Sequence, residues 1–155
     1  MIKGIDVSSH QDRIDWGRVK ADGIGFTYIK ATEGVGFVDP KFSAFAAGAQ
    51  IAGIPHGFYH FARPDTHSGT TAQSAIDDAQ AEADAFLALA FPKQGQLLPV
   101  LDLELGGLPP KLLVQWAKAW LEHVSGRTKV APILYTYPLF WSQMGNTTQF
   151  GTYRL

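Results

Sequence analysis

The chain has no cysteine, so it has no disulfide framework, no thiolate metal site and no cysteine nucleophile. It also lacks any excess of charge. Thirteen Lys and Arg stand against 14 Asp and Glu, a formal net charge of -1. That balance argues against a strongly basic nucleic-acid binder, and no nucleic-acid partner is expected. Charges of one sign never run together, so there is no acidic or basic tail. No stretch approaches the roughly 18 apolar residues of a membrane-spanning helix, and no membrane partner is expected. The first residues, MIKGIDVSSHQ, lack the apolar run of a signal peptide and read directly as a strand.

What is present suits one globular domain. The 155 residues are 46% hydrophobic and 17% charged, enough for a sizeable core. Strand patterns fall at residues 2–7, 25–31, 56–61, 98–105 and 130–137. Helix patterns fall between them. Asp15 is a good N-cap for the first helix, and Gly23 stops it. Asp39-Pro40 predicts a second helix start, with Asp as cap and Pro at the first helical position. Phe42, Phe45, Ala46 and Ala49 form its apolar face. The clearest stripe is Ala72, Ala75, Ile76, Ala79, Ala83, Phe86, Leu87 and Ala90, with Asp77, Asp78, Glu82 and Asp84 as polar positions around it. Pro109-Pro110 opens another helix with Leu113, Trp116, Trp120 and Val124 on one face and Gly126 as its stop. Strand and helix alternate throughout, which predicts an α/β fold with a parallel sheet, either doubly wound or a barrel.

In parallel α/β folds functional groups gather at the C-terminal ends of strands. The segment LLPVLDLELGG is the most informative one. Side chains alternate faces along a strand, so Leu101, Leu103 and Leu105 share one face, and Val100, Asp102 and Glu104 share the other. The two carboxylates stand about 6.5–7 Å apart by Cα. Carboxylates in an apolar strand are costly to bury unless paired or used, and their proximity drives their pKa values apart. One then donates a proton near neutral pH while the other stays ionised, the arrangement of glycoside hydrolysis. Solvation at the strand end, or pairing with Lys or Arg, is the plain alternative. Asp6 by itself reads as a turn or cap residue. His56 and His60 share parity and face one side together, either as hydrogen-bonded core histidines or as metal ligands. Lys30 and Glu33 read as a solvated or paired loop set, and Trp116 and Trp120 as core. Tyr59, Tyr135 and Tyr137 offer stacking faces for a sugar.

The segments GIDVSSHQ, IDW, FTYIKATEG, GFYHFARP, LPVLDLE and ILYTYP occur in this order and spacing. As an ordered set they resemble glycoside hydrolase family 25, the lysozymes of the Chalaropsis type, from residue 2 to the last residue. The resemblance implies an irregular (β/α) barrel of TIM-like type. It implies hydrolysis, with net retention, of the β-1,4 bond between N-acetylmuramic acid and N-acetylglucosamine in the glycan strands of the bacterial cell wall. It assigns Glu104 as general acid, Asp102 as its partner carboxylate and Asp6 as an acidic residue of the first strand. Tyr59 and Tyr135 match residues that line the saccharide groove. No metal and no organic cofactor is implied.

Two other readings stay open on the residues alone. One is a metal-dependent amide or ester hydrolase built on Asp6, His56, His60 and Asp102. The other is a glycan-binding domain without catalysis. Five strands are visible where a closed (β/α) barrel has eight, with the chain stopping where the next strand of the family would begin and no wall-binding module. The expectation is a single catalytic domain lacking its last strands, with weak or no activity. The strand at residues 130–137 would be an apolar edge through which the chain self-associates.

Overall fold

The computed structural model describes residues 2–65 and 69–155. The alternation in the sequence becomes a curled sheet wrapped by helices. In chain order the elements are β1 (Lys3–Val7), α1 (Trp16–Ala21), β2 (Ile24–Glu33), β3 (Phe37–Val38), α2 (Phe42–Ile51), β4 (His56–Phe61), α3 (Ala72–Ala90), β5 (Val100–Asp102), α4 (Pro110–Thr128), β6 (Ile133–Tyr135) and α5 (Pro138–Gln143). The sheet order is β1-β2-β4-β5-β6 and these strands are parallel, while the two-residue β3 folds back antiparallel on β2. The result is a half-barrel of (β/α) type. None of the described helices is long and apolar enough to cross a membrane.

The helices cover the convex face. Trp116, Trp120, Phe86, Leu101, Leu121 and Leu134 are fully buried between α3, α4 and the sheet, as the apolar stripes of the two helices dictate. Capping follows the sequence at α1, where Asp15 accepts a hydrogen bond from the Arg18 N–H at 3.0 Å.

Three local expectations are corrected. Asp39 does not cap α2: the helix starts at Phe42 after Lys41, with no side-chain cap. The Asp39 carboxylate instead accepts from the Ser9 N–H at 2.8 Å and the Lys41 N–H at 2.9 Å. It ties the loop after β1 to the loop before α2, and it is buried. Gly126 does not stop α4, which runs on to Thr128 and ends on Lys129 in the left-handed region at φ 61. Finally, β6 is not a bare edge. Arg154 returns beside it, bridging Ile133, and its carbonyl accepts the Leu134 N–H at 2.9 Å.

One irregularity shapes everything above it. Lys30 pairs with Tyr59 but Thr32 pairs with His60, so Ala31 is an extra residue on β2. Its carbonyl accepts the Asp39 N–H at 2.9 Å instead of joining the ladder to β4. Such a bulge resets side-chain alternation. Lys30 and Glu33, three apart and opposite in a regular strand, are thereby brought to one face.

Candidate active site

The concave side of the sheet encloses a cavity of about 420 Å³. Asp6, Tyr28, Tyr59, Asp102, Glu104 and Tyr135 all line it. Strand parity brings all of them there except Glu104, which follows the end of β5. Asp6 of β1 pairs with Tyr28 of β2, which pairs in turn with Gly57 of β4. Tyr59 pairs with Val100, and Asp102 sits between Phe61 and Tyr135. Leu101 and Leu103 point the other way and are fully buried. Room for the aromatic rings comes from missing side chains next door. A Cβ on Gly4 would lie 2.2 Å from the Phe26 ring, and one on Gly57 would lie 2.7 Å from the Tyr28 ring.

Asp102 is the electrostatic centre. Burial, then the charges of Glu104 and Asp6, push its carboxyl from an ordinary 3.8 up to about 7, and Lys30 opposes them. Asp102 Oδ1 is buried without a hydrogen-bond partner among the described residues, so it is free to receive a donor from a ligand. The Tyr59 phenol is pushed up by burial and by the carboxylates of Asp102 and Asp6, while a hydrogen bond from the Ser8 side chain works in the opposite direction. The half-exposed Tyr135 phenol is raised by burial and then by the carboxylates of Glu104, Asp102 and Asp6, and it hydrogen-bonds to Glu104. Two carboxyls on one wall share a site that disfavours two negative charges, and the cost falls on Asp102.

The histidines do not join this group. His60 lies on the opposite face of β4, fully buried. Its Nε2 is 2.7 Å from Glu82 Oε2, its Nδ1 is 2.8 Å from Thr32 Oγ1, and its ring stacks on Trp120 at 5.6 Å. His56 Nδ1 meets the Ile54 carbonyl at 3.2 Å. A metal centre made of both histidines with Asp6 and Asp102 is thus split across the sheet. Among the described residues no cluster of three or more His, Asp or Glu could hold an ion. Glu82, one of the polar positions around the α3 stripe, is the buried partner of His60.

Residues 5–155 match the model of glycosyl hydrolases family 25. The chain belongs to that family. Lysozyme M1 of Streptomyces globisporus is 37% identical over 149 residues, covering 91% of this chain and 48% of the relative. An N,O-diacetylmuramidase of Chalaropsis sp. is 34% identical over 163 residues, covering 96% of this chain and 72% of its own length. The muramidase structure from Trichobolus zukalii superposes with a TM-score of 0.87 at 30% identity, covering 99% of this chain and 74% of that one. The chain thus spans about half to three-quarters of the length of these relatives.

Some parts of this family 25 site are not evident from the sequence. Tyr28 shares parity with Phe26 in FTYIKA, but only the register with Asp6 and Gly57 shows that it faces the cavity. Ser8 reads as a strand terminator, yet its side chain bonds to Tyr59. Lys30 reads as a loop cation, yet it is buried on β2.

Proposed function

We propose that this chain is an N-acetylmuramidase that cleaves the β-1,4 bond between N-acetylmuramic acid and N-acetylglucosamine in bacterial peptidoglycan. The observation that carries the reading is the Asp102–Glu104 pair at the wall of a cavity that Asp6, Tyr59 and Tyr135 also line. The lysozyme and muramidase names of the relatives support it. Cell-wall glycan strands are the partner, so the chain acts at the bacterial wall. Tyr59 and Tyr135 flank the saccharide.

Glu104 is the general acid. Held by the Tyr135 hydroxyl, it protonates the leaving glycosidic oxygen. Asp102 acts when ionised. Its unpartnered Oδ1 accepts the N–H of the 2-acetamido group, so that the acetamide oxygen attacks the anomeric carbon and the positive charge that develops is stabilised. Water then opens this intermediate, with Glu104 returning as base, and the configuration is retained. Asp6 adds negative charge across the cavity.

The test is Glu104→Gln, assayed for release of reducing ends from bacterial cell walls. A loss of ~10²–10⁴-fold is expected for removal of a positioned general acid. Near-full activity in a folded variant overturns the assignment.

A further inference from the structure

Two strands away from Asp102 lies a second cleft, of about 480 Å³, that the reaction just described does not use. The turn from β2 into β3 forms one side of it, and Arg63, beyond the end of β4, forms the other. Val35 and Phe37 line it, and both are exposed. The hairpin that presents them is pinned. Glu33 pairs with Phe37 in the ladder between β2 and β3. The buried Lys30 places its Nζ 2.5 Å from Glu33 Oε2 and 5.5 Å from the centroid of the Phe37 ring. Apolar groups on a turn held in this way present a surface at little further ordering cost.

The cation of the cleft is Arg63, whose side chain is half-exposed. Its Nε donates to Glu33 Oε1 at 2.6 Å, and its Nη2 contacts the same oxygen. Its Nη1 has no partner among the described residues, so one edge of the guanidinium is open to a ligand. The acids nearby are taken. Glu33 is shared by Lys30 and Arg63. Glu82 Oε2 accepts the Arg63 backbone N–H at 3.1 Å and lies 2.7 Å from His60 Nε2. Asp78 Oδ2 accepts the Trp116 Nε1–H at 2.7 Å, and Asp65 is engaged too. What the cleft offers is a guanidinium edge flanked by apolar surface. A saccharide, made of neutral hydroxyls, makes poor use of that pair. A carboxylate on a chain with alkyl side groups matches both halves.

The cleft and the catalytic pair share one row of the sheet. Glu33 is the cross-strand neighbour of Phe61, and Phe61 is that of Asp102. Two strand spacings come to about 10 Å, a gap that about three extended peptide residues span. The Phe61 ring floors the path, with Lys30 Nζ 4.7 Å and Arg63 Cζ 5.6 Å from its centroid. We propose that this cleft binds the stem peptide carried by muramic acid, with Arg63 on a peptide carboxylate and Val35 and Phe37 against the alkyl side groups. The proposal rests on the muramidase reading for the identity of the ligand. The peptide leaves the lactyl group of a sugar lying at Asp102 and crosses Phe61 to Arg63. Peptide-bearing glycan is thereby held at a second point, which lowers KM without acting on the bond that is cleaved.

Two measurements test this. The first titrates the unaltered protein with a soluble probe, the tripeptide L-alanyl-γ-D-glutamyl-L-lysine, and follows backbone amide NMR shifts. Movement at residues 34–38 and 63 is expected, and it should vanish when the carboxylates of the probe are amidated. The second compares kcat and KM on glycan chains that keep their peptides and on the same chains stripped by an amidase. Arg63→Gln should raise KM ~3–10-fold on the peptide-bearing chains, relative to the stripped ones, with the kcat ratio unmoved. Val35→Glu, which sets a like charge against the carboxylate, should do the same. Val35 is exposed and outside the Lys30–Glu33–Arg63 set, so this variant carries the test if Arg63→Gln does not fold. Arg63→Lys, which keeps the charge and loses the fork, should recover part of the effect. Equal losses on both substrates overturn the proposal. So do probe shifts that fall elsewhere or are absent, however well the protein hydrolyses walls. Probe binding at the cleft of a protein that never hydrolyses walls supports the cleft and overturns the muramidase reading instead.

Discussion

At the scale of single residues, the site is bought with stability. Asp102 ionises near 3.8 when free and at about 7 in the folded chain. Below about 3.8 it is protonated in both states. Between the two values the unfolded chain releases the proton and the folded chain keeps it, so this group's stabilisation declines as pH rises and is gone above about 7. The interval corresponds to about 4 kcal/mol. Asp102→Asn should therefore abolish wall hydrolysis yet raise the urea midpoint at pH 8, by about 2–4 kcal/mol in unfolding free energy, with little gain at pH 4. An equal gain at both pH values would show that Asp102 carries no burial cost. The pair itself was legible in the sequence, because two acids seldom stand in an apolar alternating strand unless they are paired or used. Asp6 was not, because an acid ending a strand looks the same whether it turns the chain or faces a cavity. His56 and His60 were correctly placed on one side, but parity alone does not say which side faces the helices.

At the scale of elements, helices were more legible than strands. α3 and α4 carry long stripes whose period is set by the helix itself. β5 and β6 are three residues each, although their apolar patterns extend further. Pairing depends on where a neighbour begins and ends, which alternation does not encode. Asp39 shows a different limit: the Asp-Pro signature is genuine turn chemistry, but its carboxylate serves a loop 30 residues away. Asp39→Ala should leave the Ser9 and Lys41 N–H groups without their acceptor, at a cost of about 2–4 kcal/mol. Since Ser9 follows the residue that bonds Tyr59, wall hydrolysis should fall too. Denaturant unfolding with a parallel activity assay checks both. A loss of stability with unchanged activity would mean that the loop after β1 does not hold Tyr59.

At the scale of the whole molecule, the sheet curls without meeting itself among the described residues. β1 and β6 stand at its two ends. Arg154 covers part of β6, and among the described residues β1 has a strand on one side only. Open edges recruit partners, so the chain should show a weight-average mass that rises with concentration in size exclusion with light scattering. A constant monomer mass from micromolar to millimolar would show that these edges are closed to partners. β2 lies inside the sheet and carries the single extra residue at Ala31. Its consequence concerns inheritance. Point substitutions leave the number of residues from Lys30 to Glu33 untouched, but a one-codon deletion at Ala31 would give β2 a regular ladder that still keeps Lys30 and Glu33 on one face, now two apart, and would take away the carbonyl that accepts the Asp39 N–H. What a lineage must preserve here is the extra residue that turns a β2 carbonyl toward Asp39. A library of single-codon deletions should find Ala31 less tolerant than the alanine's own small side chain suggests.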